Sequence, residues 1–138
     1  MPLAESLVAA YRAAEYVVFA DPPLLMHIGQ SSAALDALLE GAGACAAAFI
    51  TACNPRGNPH PDADNAAATR ALSEDLRKRC YRCHAGEGRD PGGRWKPETS
   101  FFVLGMPRVE AEAIGRAYAQ NAIVYAERGL APELVVLA

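Results

Sequence analysis

The chain contains little lysine and no excess of basic charge. Only two of its 13 basic residues are lysine, Lys78 and Lys96, and the net charge over 138 residues is −3. Proteins that bind nucleic acid carry clustered basic charge that neutralises phosphates, so the composition predicts that this protein does not bind nucleic acid. The preference for arginine, with alanine as the commonest residue, indicates a GC-rich bacterial genome.

The chain also lacks a long uninterrupted apolar segment. Glu5, Arg12 and Glu15 interrupt the first apolar stretch, which therefore resembles neither a signal peptide nor a membrane-spanning helix. We accordingly expect a cytoplasmic protein that does not associate with membranes. Disulfides are rare in the cytoplasm, so the four cysteines are expected to be reduced.

The compositional signs of disorder are equally scarce. Hydrophobic residues make up 51% of the chain and charged residues 21%, which is enough apolar material for a packed core. A chain of this length buries roughly two thirds of its unfolded surface. The sequence has no internal repeat, so we expect one domain over residues 1–138.

Apolar and β-branched runs predict a sheet with hairpins towards both ends of the chain. Residues 16–19 and 24–28 flank an Asp-Pro-Pro turn and predict the first hairpin. The apolar run 45–52 predicts a central strand buried on both faces. Further short strands are predicted at 81–85, 100–104, 123–125 and 134–137.

Helical spacing predicts four helices between these strands. The first covers 4–14, the second begins after Ser31 or Ser32, the third is capped by Asp64 or Asn65, and the fourth begins near Pro107. A glycine-rich loop is predicted over 86–97. This order predicts an α+β fold, a single compact domain in which helices pack on a mixed, mostly antiparallel sheet.

Residues 80–84 read CYRCH, which is the C-x-x-C-H spacing of a covalent c-type haem site. Haem attachment needs export, for which the sequence has no signal. Cys80 also completes the apolar stripe of the third predicted helix. In a strand, Cys83 and His84 point to opposite faces. We therefore predict no haem here.

Zinc is the other metal interpretation of residues 80–84. Cys80 and Cys83 have a ligand spacing found in structural zinc sites, but the second paired knuckle is missing. The ligand set would have to be completed by Cys53, His60 or His84. We predict thiols without metal and no cofactor, and a metal or haem protein remains the third interpretation.

Polar residues cluster at the ends of two predicted core strands. Thr51 and Asn54 lie at the end of one strand, and Glu98 and Ser100 lie at the start of another. If the two strands are neighbours, these side chains line one crevice, where open sheets place ligands. Each residue by itself fits turn or capping chemistry better. As a cluster, a shared site is as well supported as that structural role, because buried amides and a carboxylate need partners. The predicted ligand-binding residues are Thr51, Asn54, Asn65, Trp95, Glu98, Ser100, Gln120 and Asn121.

Glu98 is the acid of this set that we expect among apolar neighbours, Trp95 and Phe101. A carboxylate in that setting can act as a general base or hold an arginine. Asn54, Asn65 and Gln120 are expected to supply amide hydrogen bonds, and Trp95 a stacking wall or lid.

Several segments resemble the bacterial domain-of-unknown-function family 3293. They are AFITACNP at 48–55, ETSFFVLG at 98–105 and QNAI at 120–123, with GEG at 86–88 and Trp95 between them. The resemblance extends from about Tyr11 to Leu137 and implies no activity. In the family the position of Cys53 is often tryptophan or tyrosine, and the cysteines and histidine of 80–84 are not a feature, which weakens haem and zinc further. The resemblance implies the same polar set, namely Thr51, Asn54, Asn65, Glu98, Ser100, Gln120 and Asn121.

These observations predict a protein that binds a small polar molecule, a nucleotide or a metabolite, in the strand-end crevice. The alternative is a non-enzymatic protein-interaction module in which the same polar residues serve the fold. The sequence does not distinguish binding from catalysis, and it predicts no particular oligomeric state.

Overall fold

A computed structural model describes residues 3–138 of the chain. The elements in chain order are α1 (Glu5–Ala13), β1 (Glu15–Val18), β2 (Leu24–Met26), α2 (Ala33–Gly41), β3 (Ala46–Thr51), α3 (Asp62–Lys78), β4 (Cys83–Arg89), β5 (Glu98–Leu104), α4 (Arg108–Ala117), β6 (Ala122–Glu127) and β7 (Glu133–Val136), with a short 3-10 turn at Pro55–Gly57.

The seven strands form one sheet in the order β2-β1-β4-β5-β3-β6-β7. Every neighbouring pair is antiparallel, and three of the pairs are hairpins between consecutive strands. The predicted α+β class is therefore confirmed. The apolar run around β3 is explained by its position between β5 and β6, where both of its faces are covered.

The sheet is curled. Gly29, in the loop after β2, donates its N–H to the carbonyl of Pro132, immediately before β7, at 3.0 Å. The two outer strands therefore approach each other at this point. One buried cluster accordingly includes Met26 of β2 together with Val124 of β6, although four strands lie between β2 and β6 in the sheet's order.

Helices cover both faces of the sheet. Leu35 and Leu39 of α2 pack in the cluster on the concave face, with Phe49 of β3. Leu72 and Leu76 pack on the opposite face, with Ile50 of β3, in a cluster that also contains residues of α4. Phe49 and Ile50 point to opposite sides because side chains alternate along a strand. In contrast, α1 has no buried residue.

The structure confirms the cap of α2 and corrects that of α3. Ser32 precedes α2, and its hydroxyl accepts the N–H of Leu35 at 3.1 Å. The predicted caps of α3, Asp64 and Asn65, lie inside its first turn, because Pro61 is the capping residue. Asn65 is instead oriented towards the loop that follows β3.

The predicted loop over 86–97 is shorter than expected, because β4 continues through 86–89. A Cβ atom on Gly86 would lie 2.5 Å from the carbonyl oxygen of Val17 and 2.9 Å from the Phe49 ring. Glycine is therefore used at this position for a close approach within the sheet and not for a turn.

Among residues 3–138, no helix combines the length and the apolar character that crossing a membrane requires.

Candidate functional site

The strands that carry the predicted polar cluster are neighbours. Thr51, the last residue of β3, lies opposite Ser100 of β5, and Phe49 lies opposite Phe102. Glu98, two residues before Ser100, lies on the same face of β5 and opposite Gly88 of β4. The end of β3 and the start of β5 therefore form one edge of the concave face.

The loop after β3 is organised by Asn54. Asn54 has a left-handed backbone conformation (φ 48°), which asparagine tolerates better than most residues. Its N–H donates to Oδ1 of Asn65 at 2.9 Å, and its Oδ1 accepts from Nδ2 of Asn65 at 2.9 Å and from the N–H of His60 at 3.0 Å. The two asparagines thus connect this loop to the first turn of α3.

Glu98 is held by the same loop. Nδ2 of Asn54 donates to Oε2 of Glu98 at 2.7 Å. Oε1 makes no hydrogen bond within the described residues. No fully buried side-chain oxygen among them lacks a partner, so Oε1 is accessible from the space beside Glu98. Burial raises the pKa of Glu98 above its ordinary value of 4.5, and the hydrogen bond from Asn54 offsets part of that rise.

The adjoining space is a cavity of about 150 Å³ on the concave face, beside Glu98. Leu7 and Tyr11 of α1 line it, and Trp95 lines it from the loop before β5. Gly88 contributes to the lining from the sheet, and a Cβ atom there would have no other atom within 4 Å. The other lining residues are Tyr16, Phe49, Thr51, Asn54, Gly57, Pro59, Glu98, Ser100, Gln120, Ala122, Ile123, Val124 and Leu134.

Two tyrosines on the cavity wall have raised pKa values and are therefore protonated. The Tyr16 hydroxyl donates to the carbonyl of Tyr11 at 2.6 Å, and its ring meets that of Phe49 edge to face with centroids 5.4 Å apart. Burial strongly raises the pKa of Tyr16 and also raises that of Tyr11. Glu98 is therefore the side chain that brings negative charge to the lining, which includes no arginine, lysine or histidine.

A wider groove of about 670 Å³ lies next to the cavity. Asn54, Pro59, Trp95 and Glu98 line both spaces, so the cavity and the groove adjoin along these residues. The groove carries charge of both signs. Its charged and titratable residues are His60, Asp62, Arg70, Arg94, Lys96 and Glu98.

The structure brings the eight predicted residues to one region but gives them different environments. Six line the cavity, namely Thr51, Asn54, Trp95, Glu98, Ser100 and Gln120. Asn65 lines only the groove. Asn121 lines neither, and its Nδ2 donates to the Tyr11 hydroxyl at 3.2 Å. Phe101, expected beside Glu98, belongs to the cluster on the opposite face.

Several of these polar groups form hydrogen bonds with the protein itself. The Thr51 hydroxyl donates to the carbonyl of Thr99 at 2.8 Å and accepts the N–H of Cys53 at 3.0 Å. Nε2 of Gln120 donates to the Cys53 carbonyl at 3.1 Å, and the Ser100 hydroxyl donates to the Glu98 carbonyl at 3.0 Å. These bonds position the edge of the sheet. Oε1 of Glu98, a residue that lines both the cavity and the groove, is left as a free acceptor.

Sequence reasoning did not identify the apolar half of the lining. Leu7 and Tyr11 carry the ordinary pattern of an amphipathic helix, and Tyr16 that of a hairpin strand. Gly88 lies in a segment whose glycine content predicts a loop, whereas the structure places it in β4. The one available signal was the glycine pair at 86 and 88, since glycine within a strand often marks a site where another group approaches closely.

The C-x-x-C-H segment lies away from the cavity. Cys80 is exposed in the turn after α3, with φ 64°, while Cys83 begins β4 and His84 follows it. No group of three or more histidine, cysteine, aspartate or glutamate side chains within residues 3–138 is arranged to hold a metal ion.

Comparison with known proteins gives one match. The model of a family described as "Protein of unknown function (DUF3293)" matches residues 50–123. No curated protein and no solved structure matches the chain. The matched range contains all eight predicted site residues, whereas Leu7, Tyr11 and Tyr16 of the cavity wall precede it.

Proposed function

This chain belongs to the DUF3293 family of proteins of unknown function, and from that premise we propose that it binds a small organic ligand in the cavity beside Glu98. The ligand places its apolar part against the cavity wall and a hydrogen-bond donor against Oε1 of Glu98. Its remaining polar part extends along the adjoining groove past Trp95.

The observation that carries the proposal is a carboxylate with one unpartnered oxygen at a largely apolar cavity. Burying a carboxylate is costly unless its oxygens are hydrogen-bonded. Asn54 satisfies Oε2, whereas Oε1 has no partner within the described residues and is accessible. An apolar pocket with a few convergent polar groups is the usual form of a small-molecule site.

The arrangement favours binding over nucleophilic catalysis. The Ser100 hydroxyl donates to a main-chain carbonyl and has no general base beside it in the lining, which contains no histidine. The proposal therefore covers recognition of a ligand by Glu98 and leaves catalysis out.

The proposal is tested by screening a library of small metabolites and fragments against the protein. Trp95 is the only tryptophan of the chain and lines both the cavity and the groove, so its fluorescence reports binding in either space and the variants below identify the cavity. The blocking variant is Gly88→Val, whose side chain enters the cavity without meeting a nearby atom at Cβ. The matched control is Gly41→Val at the end of α2, where a Cβ atom also has nothing within 4 Å and no cavity residue is altered.

We expect compounds that bind the wild-type and Gly41→Val proteins and that bind Gly88→Val at least about tenfold more weakly. Circular dichroism confirms that both variants fold. The proposal is wrong if every compound that binds has the same affinity for wild type, Gly41→Val and Gly88→Val. It is also wrong if no compound changes the emission of Trp95.

A protein-interaction module is the second candidate, and one observation favours it. Phe19 and Leu25 of the first hairpin are 48% and 47% exposed. Exposed apolar residues on a short edge hairpin are typical of contact surfaces. Light scattering over a range of concentrations tests self-association, which Leu25→Ser should abolish if the hairpin mediates it. A constant monomer mass for both proteins argues against self-association through this hairpin.

A further inference from the structure

The size of the cavity corresponds to one six-membered ring. Its volume is about 150 Å³. An engineered apolar cavity of about 150 Å³ in another protein binds benzene, so a cavity of this volume accommodates a single aromatic ring with little space left. A fused two-ring system would have to displace the wall or project into the groove.

The chemistry of the wall fits the faces and edges of such a ring. The rings of Tyr16, Phe49 and Trp95 all contribute to the lining. Tyr16 and Phe49 already form an edge-to-face pair with an interplanar angle of 79°. Aromatic rings prefer offset or edge-to-face contacts with one another, so a third ring can extend this arrangement.

The charge of the lining selects the substituent. Glu98 is the charged residue among the residues that line the cavity, and no basic side chain of residues 3–138 lines it. An anionic group held within the cavity would therefore lie next to a carboxylate, and the basic residues that could compensate its charge line only the groove. A cationic or N–H donor group instead forms a charge-assisted hydrogen bond with Oε1.

Glu98 also lies where such a substituent would emerge. It lines both the cavity and the groove, as does Trp95. A ring seated in the cavity can therefore present its substituent to Oε1 at the junction of the two spaces. A longer substituent can continue into the groove.

We propose that the cavity takes a single six-membered aromatic ring bearing an amine or amidine group that hydrogen-bonds to Oε1 of Glu98. This inference rests on the proposed function and specifies its ligand class. The hydrogen bond from Asn54 to Oε2 holds the carboxylate in place, so Oε1 is presented to the ligand in a defined direction.

The test uses small probes that share one ring and differ in charge. They are benzamidine and benzylamine as cations, benzyl alcohol as the neutral analogue, and benzoate as the anion. A fifth probe, 2-naphthamidine, carries two fused rings. Dissociation constants are measured by calorimetry, and the indole N–H resonance of Trp95 reports by NMR whether each probe occupies the cavity.

We expect benzamidine to bind at least about tenfold more tightly than benzyl alcohol, because its cationic N–H groups pair with the carboxylate whereas the alcohol donates only a neutral O–H. Benzoate should be the weakest one-ring probe, and 2-naphthamidine should bind at least about tenfold more weakly than benzamidine. If benzoate binds as tightly as benzamidine or more tightly, the inferred substituent is wrong. If 2-naphthamidine binds as tightly as benzamidine or more tightly, the inferred ring size is wrong.

Glu98→Gln separates recognition of charge from the shape of the cavity. Its amide oxygen still accepts the hydrogen bond from Asn54, so the loop is expected to remain in place. The advantage of benzamidine over benzyl alcohol should disappear in Glu98→Gln, while the affinity for benzyl alcohol changes by less than about threefold. An advantage that persists in this variant overturns the role given to Oε1.

Failure of this inference is distinguishable from failure of the proposed function. If no ring probe binds, but other library compounds bind and are blocked by Gly88→Val, the ring inference falls and the proposed site stands. If no compound of either set is affected by Gly88→Val, both fall.

Discussion

Asn54 and Glu98 are 44 residues apart in the chain and are joined by a 2.7 Å hydrogen bond from Nδ2 of Asn54 to Oε2 of Glu98. The bond connects the loop after β3 to the first residue of β5. It also leaves Oε1 of Glu98 without a partner and accessible. Asn54 therefore acts as a positioning residue, and Glu98 is the group that meets the ligand in our proposal.

Replacing Asn54 should destabilise the fold. Asn54→Ala removes the side-chain bonds to Glu98, Asn65 and the His60 N–H, and it places alanine in a left-handed conformation. We expect the free energy of unfolding to fall by about 2–3 kcal/mol in chemical denaturation. Asn54→Gly keeps the backbone conformation and should recover part of the loss.

The control for Asn54 is Asn58→Ala, because Asn58 is an exposed asparagine of the same loop. Its replacement should change the free energy of unfolding by less than about 0.5 kcal/mol. If Asn54→Ala is as mild as Asn58→Ala, the loop is not organised by the asparagine pair.

Glu98 should make stability fall with rising pH. The folded protein holds the Glu98 proton more tightly than the unfolded chain does, because burial raises the native pKa above 4.5. Stability is therefore lost as the pH rises from 4.5 through the raised native pKa. As the pH rises through this window, Glu98→Gln should become progressively more stable relative to wild type. The measurement is the difference between their free energies of unfolding at each pH.

Salt provides the control for this pH effect. The pKa of Glu98 is raised chiefly because burial removes its carboxyl group from water, and added salt does not reverse this. An effect of distant surface charges would instead be screened by salt. The pH-dependent difference between wild type and Glu98→Gln should therefore persist at high ionic strength. A difference that runs in the opposite direction with pH would show that Glu98 is stabilised as the anion.

The two glycines of β4 should respond in opposite ways to the same substitution. Gly86→Ala puts a Cβ atom 2.5 Å from the Val17 carbonyl oxygen and should cost about 1–3 kcal/mol of stability. Gly88→Ala meets nothing within 4 Å and should be neutral or stabilising by about 0.5 kcal/mol, since alanine loses less entropy on folding. Thermal and chemical denaturation of the two variants tests this, and equal effects would contradict the register of β4.

The exposed cysteines of the C-x-x-C-H segment should be dispensable. Cys80→Ala and Cys83→Ala change exposed side chains, so each should alter the free energy of unfolding by less than about 0.5 kcal/mol. Cys53→Ala is the contrasting variant, because Cys53 is buried and its replacement leaves a small void. Collapse of Cys80→Ala or Cys83→Ala, with loss of a bound ion in elemental analysis, would show that the segment holds a metal.

Much of the fold follows from local sequence patterns. The apolar run at 45–52 predicts a strand buried on both faces, and β3 is central to the sheet. Ser32 is predicted as a cap and accepts the N–H of Leu35. Local patterns also place Thr51 and Ser100 near strand ends. They do not predict that β3 and β5 are neighbours, which the structure shows by pairing Thr51 with Ser100.

The remaining features depend on contacts between distant parts of the chain. Gly86 resembles a loop glycine locally, and only the close approach of Val17 and Phe49 explains why a strand has glycine at this position. Asn65 fits a helix cap by its position, but the loop after β3 brings Asn54 within hydrogen-bonding distance of it.

The sequence by itself therefore determined the helices, the core strands and the polar residues at the strand ends, because periodicity, burial and capping act over a few residues. Only the tertiary structure decided that these residues border a cavity. The curl of the sheet brings Tyr16 and Phe49 together, and α1 adds Leu7 and Tyr11 to the wall. No local pattern encodes a space enclosed by segments that meet only when the whole chain has folded.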